Sequence, residues 1–188
     1  LLMMAVIGTL SFNTNTLYPL LADRELGGGD TTFTWLTTAG SLGMLLASLW
    51  LARRASITTR LVATSAVLFG GTNLLIAAAP STPSALVASF LVGVTAIGIL
   101  SGSNAVIQLT AEPAMRGRVL ALFTLVFLGT TPIGGPILGT IADQFGTRTA
   151  LVVQGVAALL AGGWGLRAVR GLAARRQVPL ASPVALAA

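Results

Sequence analysis

Cysteine and histidine are both absent from the 188 residues of this chain. Without cysteine the protein forms no disulfide and offers no thiol nucleophile. Without histidine it lacks the usual ligands of zinc and haem sites, and it lacks the base of a Ser/His catalytic arrangement. The sequence therefore predicts neither a cofactor nor a metal site, and it makes an enzyme the least favoured class of function.

Charge is scarce as well. Charged residues make up 9% of the chain and hydrophobic residues 54%, with a mean hydropathy of +0.88. Soluble domains carry roughly 25% charged residues. A soluble protein of this length has no core large enough to hide so much apolar surface, so the composition indicates a membrane protein.

Apolar segments without any charged residue follow one another along the chain. A helix that rises ~1.5 Å per residue needs about 20 such residues to cross ~30 Å of hydrocarbon. The sequence thus predicts an all-α, polytopic membrane protein. It predicts a bundle of six transmembrane helices at residues 1–170 and a disordered cytoplasmic tail at residues 171–188. The predicted spans are 1–21, 33–51, 61–80, 85–110, 119–142 and 150–166.

Arginine is the only basic residue, and it clusters in every second gap between the spans. Cytoplasmic loops retain arginine near helix ends, so this asymmetry predicts that both termini are cytoplasmic. The alternative, a basic surface for nucleic acid, requires a soluble domain that this chain lacks, and we expect no nucleic-acid partner. Nine arginines lie in the predicted cytoplasmic segments: Arg53, Arg54, Arg60, Arg116, Arg118, Arg167, Arg170, Arg175 and Arg176.

Uncharged polar side chains interrupt several spans. Such groups are costly in hydrocarbon unless they face a partner or water, so they are candidates for lining a substrate cavity. Each is equally compatible with an interhelical hydrogen bond worth roughly 1 kcal/mol. The candidate cavity residues are Asn13, Asn15, Tyr18, Asn73, Asn104 and Gln108.

The segment 111–123, AEPAMRGRVLALF, carries a family resemblance together with Gly129, Pro132, Gly134 and the run GTIADQFG at 139–146. It resembles the C-terminal half of major facilitator superfamily transporters, and more closely the enterobactin-exporter-like branch (transmembrane secretion effectors). The run NTLYPLLA at 15–22 is similar to the first helix of that half.

This resemblance implies that the chain corresponds to helices seven to twelve of a twelve-helix transporter in a bacterial plasma (inner) membrane. Its expected partners are the lipid bilayer, a small-molecule substrate and an N-terminal six-helix half. The resemblance also implies export of the substrate from the cytoplasm, usually coupled to proton entry, as in siderophore or drug efflux.

Two motifs acquire roles through the resemblance. Arg116, Gly117 and Arg118 are interpreted as a cytoplasmic gate, with ordinary membrane anchoring as the alternative. The fifth span resembles the Gly/Pro-rich antiporter motif, which implies a bend that tightens packing, with simple close packing as the alternative. Its predicted packing and kink residues are Gly129, Pro132, Gly134, Gly135, Pro136 and Gly139.

No acidic residue lies deep inside a predicted span, although proton coupling needs a titratable group whose environment changes between states. The leading hypothesis is therefore half of a proton-coupled exporter of small hydrophobic or amphipathic molecules, with the titratable group supplied by the other half. The alternative is a six-helix membrane scaffold or truncated gene product that does not transport.

Overall fold

The computed structural model describes residues 2–54, 57–129 and 131–176, and the regular secondary structure within these ranges is helical. Two π-helical turns, Ile7–Ser11 and Leu21–Glu25, continue the first and second α-helices. The α-helices are α1 (Leu2–Val6), α2 (Thr14–Leu20), α3 (Gly29–Ala52), α4 (Thr59–Ala77), α5 (Thr82–Thr110), α6 (Arg116–Leu128), α7 (Thr131–Phe145) and α8 (Thr147–Arg176).

Within the described residues, five helical stretches are long and apolar enough to cross a bilayer: Gly29–Ala52, Thr59–Ala77, Thr82–Thr110, Arg116–Phe145 and Thr147–Gly171. An all-helical, multi-pass membrane protein is thereby confirmed. The first predicted span, 1–21, is an interrupted helix and is not one of these five, so the count of six spans stays a prediction. Helix α8 continues to Arg176 inside the predicted tail, and residues 177–188 lie outside the described ranges.

Large apolar side chains lie on the outside of the bundle, as expected of a protein whose solvent is lipid. Trp35 and Leu160, for example, are 60% and 70% exposed. Small residues fill the helix contacts instead, because they let backbones approach closely. A Cβ added to Gly70 of α4 would lie 2.7 Å from the carbonyl oxygen of Gly155 on α8. Helix α4 accordingly packs along both α8 and α5, and α3 packs along α5.

A buried hydrogen bond joins α4 to α8. The Gln154 amide donates to Asn73 Oδ1 at 2.8 Å, and the Asn73 amide donates to the Phe69 carbonyl at 2.8 Å. Both side chains are fully buried. Asn73 is thus held inside a helix contact, which is the packing role that the sequence leaves open beside the cavity role.

Ion pairs connect the end of the first interrupted helix to α7 and α8, on the side away from the arginine-rich loops. Arg24 pairs with Asp143 and Arg148 pairs with Glu25, each at 2.8 Å. Arg148 also donates to the Ala77 carbonyl at 3.3 Å, which adds the end of α4 to the contact. Because the Arg24 and Asp143 side chains are about half exposed, their pair contributes little stability.

Candidate substrate cavity

The polar run in the first predicted span produces a break in the helix. Helical geometry stops after Ser11 and resumes at Thr14. Asn13 stabilises the break because its side-chain amide donates to the Thr9 carbonyl at 2.7 Å, in competition with regular backbone pairing. Pro19 lacks an N–H for the carbonyl of Asn15, which weakens the helix beyond the break as well.

The break borders a cavity of about 290 Å³ between α2, α3 and α5. Phe12, which stacks on Phe69 with ring centroids 5.5 Å apart, forms one apolar wall. Two of the candidate cavity residues, Asn15 and Tyr18, also line this space. The remaining lining residues are Thr14 beside the break, Thr37, Gly40, Ser41 and Met44 of α3, and Ser89, Val92, Gly93 and Ala96 of α5.

The Tyr18 hydroxyl is the most distinctive polar group at this cavity. The side chain is 2% exposed, and its oxygen lies near Ser89 without a hydrogen bond of good geometry. Ser89 directs its own hydrogen to the Leu36 carbonyl at 2.7 Å. A buried hydroxyl without a hydrogen-bond partner is costly, so its place at the cavity wall calls for an explanation.

The other candidate cavity residues lie elsewhere. Asn13 is buried at the helix break, and Asn73 is in the α4–α8 contact. Asn104 is half-buried and donates to the Leu100 carbonyl at 3.1 Å, whereas Gln108 is exposed near the end of α5. Neither Asn104 nor Gln108 lines the cavity of Tyr18, and their role in binding stays a prediction.

The predicted gate, Arg116, Gly117 and Arg118, lies in the exposed first turn of α6. Arg116 donates from Nε to the Ala111 carbonyl at 3.2 Å, and the Arg118 guanidinium lies 4.0 Å from the Met115 sulfur. No carboxylate of the described residues pairs with either arginine. The turn that leads into α6 is held by local hydrogen bonds, because the Glu112 backbone carbonyl accepts from the backbone amides of Met115 and Arg116.

Within the predicted fifth span the structure describes α6, which ends at Leu128, and α7, which begins at Thr131, while Thr130 lies outside the described residues. Pro132 is exposed near the start of α7, and a bend at Gly129 or Pro132 stays a prediction. Gly134 is buried against Thr9 and Asn13, whereas a Cβ at Gly139 would meet no atom within 4 Å. Gly135 faces Thr16 and Asn13 more loosely, and Pro136 lies exposed inside α7. Close packing of this span therefore depends on Gly134 more than on its neighbours.

The described residues thus form a multi-pass helical bundle in which an interrupted helix borders an uncharged, partly polar cavity. The family model described as Major Facilitator Superfamily matches residues 1–183, and the chain belongs to this superfamily.

One curated relative is the multidrug efflux pump Tap of Mycolicibacterium fortuitum. It is 29% identical to this chain over 123 residues, which are 65% of this chain and 29% of the pump. The match therefore spans less than a third of that protein's length. No solved structure matches the chain.

Proposed function

We propose that this chain is the C-terminal six-helix half of a proton-coupled exporter of small hydrophobic or amphipathic molecules. Superfamily membership and the likeness to a multidrug efflux pump support transport and its outward direction. In this proposal the interrupted first segment, residues 1–21, also crosses the membrane, which brings the number of spans to six. The enterobactin-exporter-like branch remains the proposed position within the superfamily.

The observation that carries the proposal is the mixed lining of the 290 Å³ cavity. Phe12 and Met44 offer apolar contacts, Asn15 offers an amide, and Tyr18 offers a hydroxyl without a good partner. Among the described residues, no charged side chain lines the cavity. Such a surface suits a molecule with a large apolar body and one or two polar groups, because pockets of this kind take affinity from apolar area and orientation from few polar contacts.

The proposed orientation puts the arginine-rich loops and both termini in the cytoplasm, following the positive-inside rule. The five acidic residues, Asp23, Glu25, Asp30, Glu112 and Asp143, are exposed at or beyond helix ends. We therefore assign the proton-carrying group to the N-terminal half, and this half contributes binding surface and the arginine gate.

Dye efflux from cells that express the full-length transporter tests the proposal. Tyr18→Phe removes only the hydroxyl, and Ser41→Trp fills the cavity from α3. We expect both variants to lower efflux several-fold at unchanged membrane abundance. Leu46→Trp is the matched control, because Leu46 lies on the exposed face of α3 and does not line the cavity. Normal efflux in both cavity variants would show that the substrate binds elsewhere.

A further inference from the structure

A second cavity, of about 480 Å³, lies between α3, α4 and α5. Helix α5 contributes different faces to the two cavities: Val92 and Ala96 line the first, and Val94 and Gly98 line the second. At 3.6 residues per turn, these two pairs point in opposite directions from the helix axis. The second cavity is therefore a groove on the far side of α5 from Tyr18.

This groove opens on the outside of the described helix bundle. Trp50 and Leu68 line it and are 54% and 60% exposed, which is expected of side chains that contact acyl chains. The groove runs from the arginine-rich end of α3 and α4 toward the middle of α5. Its inner part is mostly apolar, with Val94 and Ile97 among its lining residues beside the hydroxyl of Thr95.

Two arginines line the end of the groove that lies at the membrane surface, Arg54 after α3 and Arg60 at the start of α4. The Arg54 guanidinium lies 4.1 Å from the centre of the Trp50 ring. Neither arginine is paired with a carboxylate of the described residues. None of the described residues that line the groove is Asp or Glu, so its lining carries only positive charge.

We propose that the groove binds an anionic phospholipid from the leaflet on the arginine-rich side. Arg54 and Arg60 hold the headgroup phosphate, because a guanidinium donates hydrogen bonds in a fork that matches phosphate oxygens. One acyl chain follows Leu68 and Val94 along the apolar part of the groove. Two unbalanced arginines favour a headgroup with net negative charge over a zwitterionic one, whose own cation would be repelled.

Fluorescence quenching in bilayers tests this site through Trp50. The full-length protein, with every other tryptophan replaced by phenylalanine, is reconstituted into phosphatidylcholine. Part of the lipid is then replaced by phosphatidylglycerol with brominated chains, which quenches a tryptophan in contact, and brominated phosphatidylcholine gives the reference. We expect phosphatidylglycerol to be preferred at Trp50 by about five-fold, as an arginine beside an anionic headgroup predicts.

The chain supplies matched controls for both reporter and arginine. Trp164 has the same exposure, 54%, but does not line the groove and has Arg167 one helical turn away, so a protein that retains Trp164 alone should show a weaker preference than one that retains Trp50. Arg60→Gln should abolish the preference at Trp50, and Arg60→Lys should retain most of it. Arg53→Gln removes the same charge from the same loop but outside the groove, and should leave the preference unchanged.

Three results would overturn the site. Equal preference at Trp50 and Trp164 would show that the whole surface attracts anionic lipid. If Arg53→Gln lowered the preference at Trp50 as much as Arg60→Gln does, the whole surface and not the groove would attract anionic lipid. Displacement of the brominated lipid by millimolar inorganic phosphate would show a site for free anions rather than for phospholipid.

Discussion

Replacing Gly134 by alanine adds one methyl group at the closest contact between α7 and the first interrupted helix. The new Cβ would overlap the carbonyl oxygen of Thr9 and lie 2.8 Å from the Asn13 amide nitrogen. Neither obstacle can rotate away freely, because the first is backbone and the second is already bonded to that carbonyl at 2.7 Å. The two helices must therefore separate.

Overpacking of this kind costs about 1–3 kcal/mol of unfolding free energy. The matched control is Gly139→Ala on the same helix, where a Cβ would meet no atom within 4 Å. That variant only gains the helix propensity of alanine, worth up to ~1 kcal/mol. We therefore expect Gly134→Ala to lower the stability and Gly139→Ala to leave it unchanged or raise it.

The difference is measured by titrating detergent-solubilised protein with sodium dodecyl sulfate and following helicity by circular dichroism. Gly134→Ala should unfold at a lower fraction of the denaturing detergent than wild type. Adding Thr9→Ala should not restore the midpoint, since the obstacle is the backbone oxygen and not the threonine side chain. The packing argument is wrong if Gly134→Ala and Gly139→Ala have the same midpoint.

Three further outcomes follow from the structure. In a double-mutant cycle of Asn73→Leu and Gln154→Met, the coupling free energy should be about 0.6–1.7 kcal/mol, as for interhelical hydrogen bonds in membranes, and zero coupling would exclude that bond. A cysteine at Ser81 should react with an impermeant thiol reagent on intact cells and one at Thr58 should not; the reverse would invert the proposed orientation. Arg116→Ala should lower export at normal membrane abundance, whereas normal export would leave this arginine as a membrane anchor.

The positions of the long helices were predictable because charge-free runs leave few alternatives in a bilayer. The predicted span 85–110 lies inside α5, Thr82–Thr110, and the predicted span 61–80 overlaps α4, Thr59–Ala77. The interruption of the first span was not predicted, although its cause is local. Asn13 occupies the Thr9 carbonyl, and this competition with the backbone is invisible in hydropathy.

Side-chain partners were harder to predict than spans. Asn73 is a lone strongly polar residue in an apolar run, which makes it a candidate from the sequence, and Gln154 has the same pattern in the sixth predicted span. Their pairing across 81 positions depends on how α4 and α8 pack. The same limit applies to the cavity, where Asn15 and Tyr18 were predicted but Ser41 was not, since several residues of α3 are equally polar.

Helix α5 shows why the two proposed binding surfaces could not be predicted from the sequence. Its sequence is nearly uniform in polarity around the helix, so periodicity does not distinguish an inner from an outer face. The distinction arises from its neighbours. Tyr18 brings a hydroxyl to one side of α5, and the ends of α3 and α4 bring Arg54 and Arg60 to the other. A helix of nearly uniform polarity thus separates the cavity proposed for an uncharged, amphipathic molecule from the groove proposed for an anionic lipid. Substitutions at Tyr18 and Arg60 should accordingly affect different ligands.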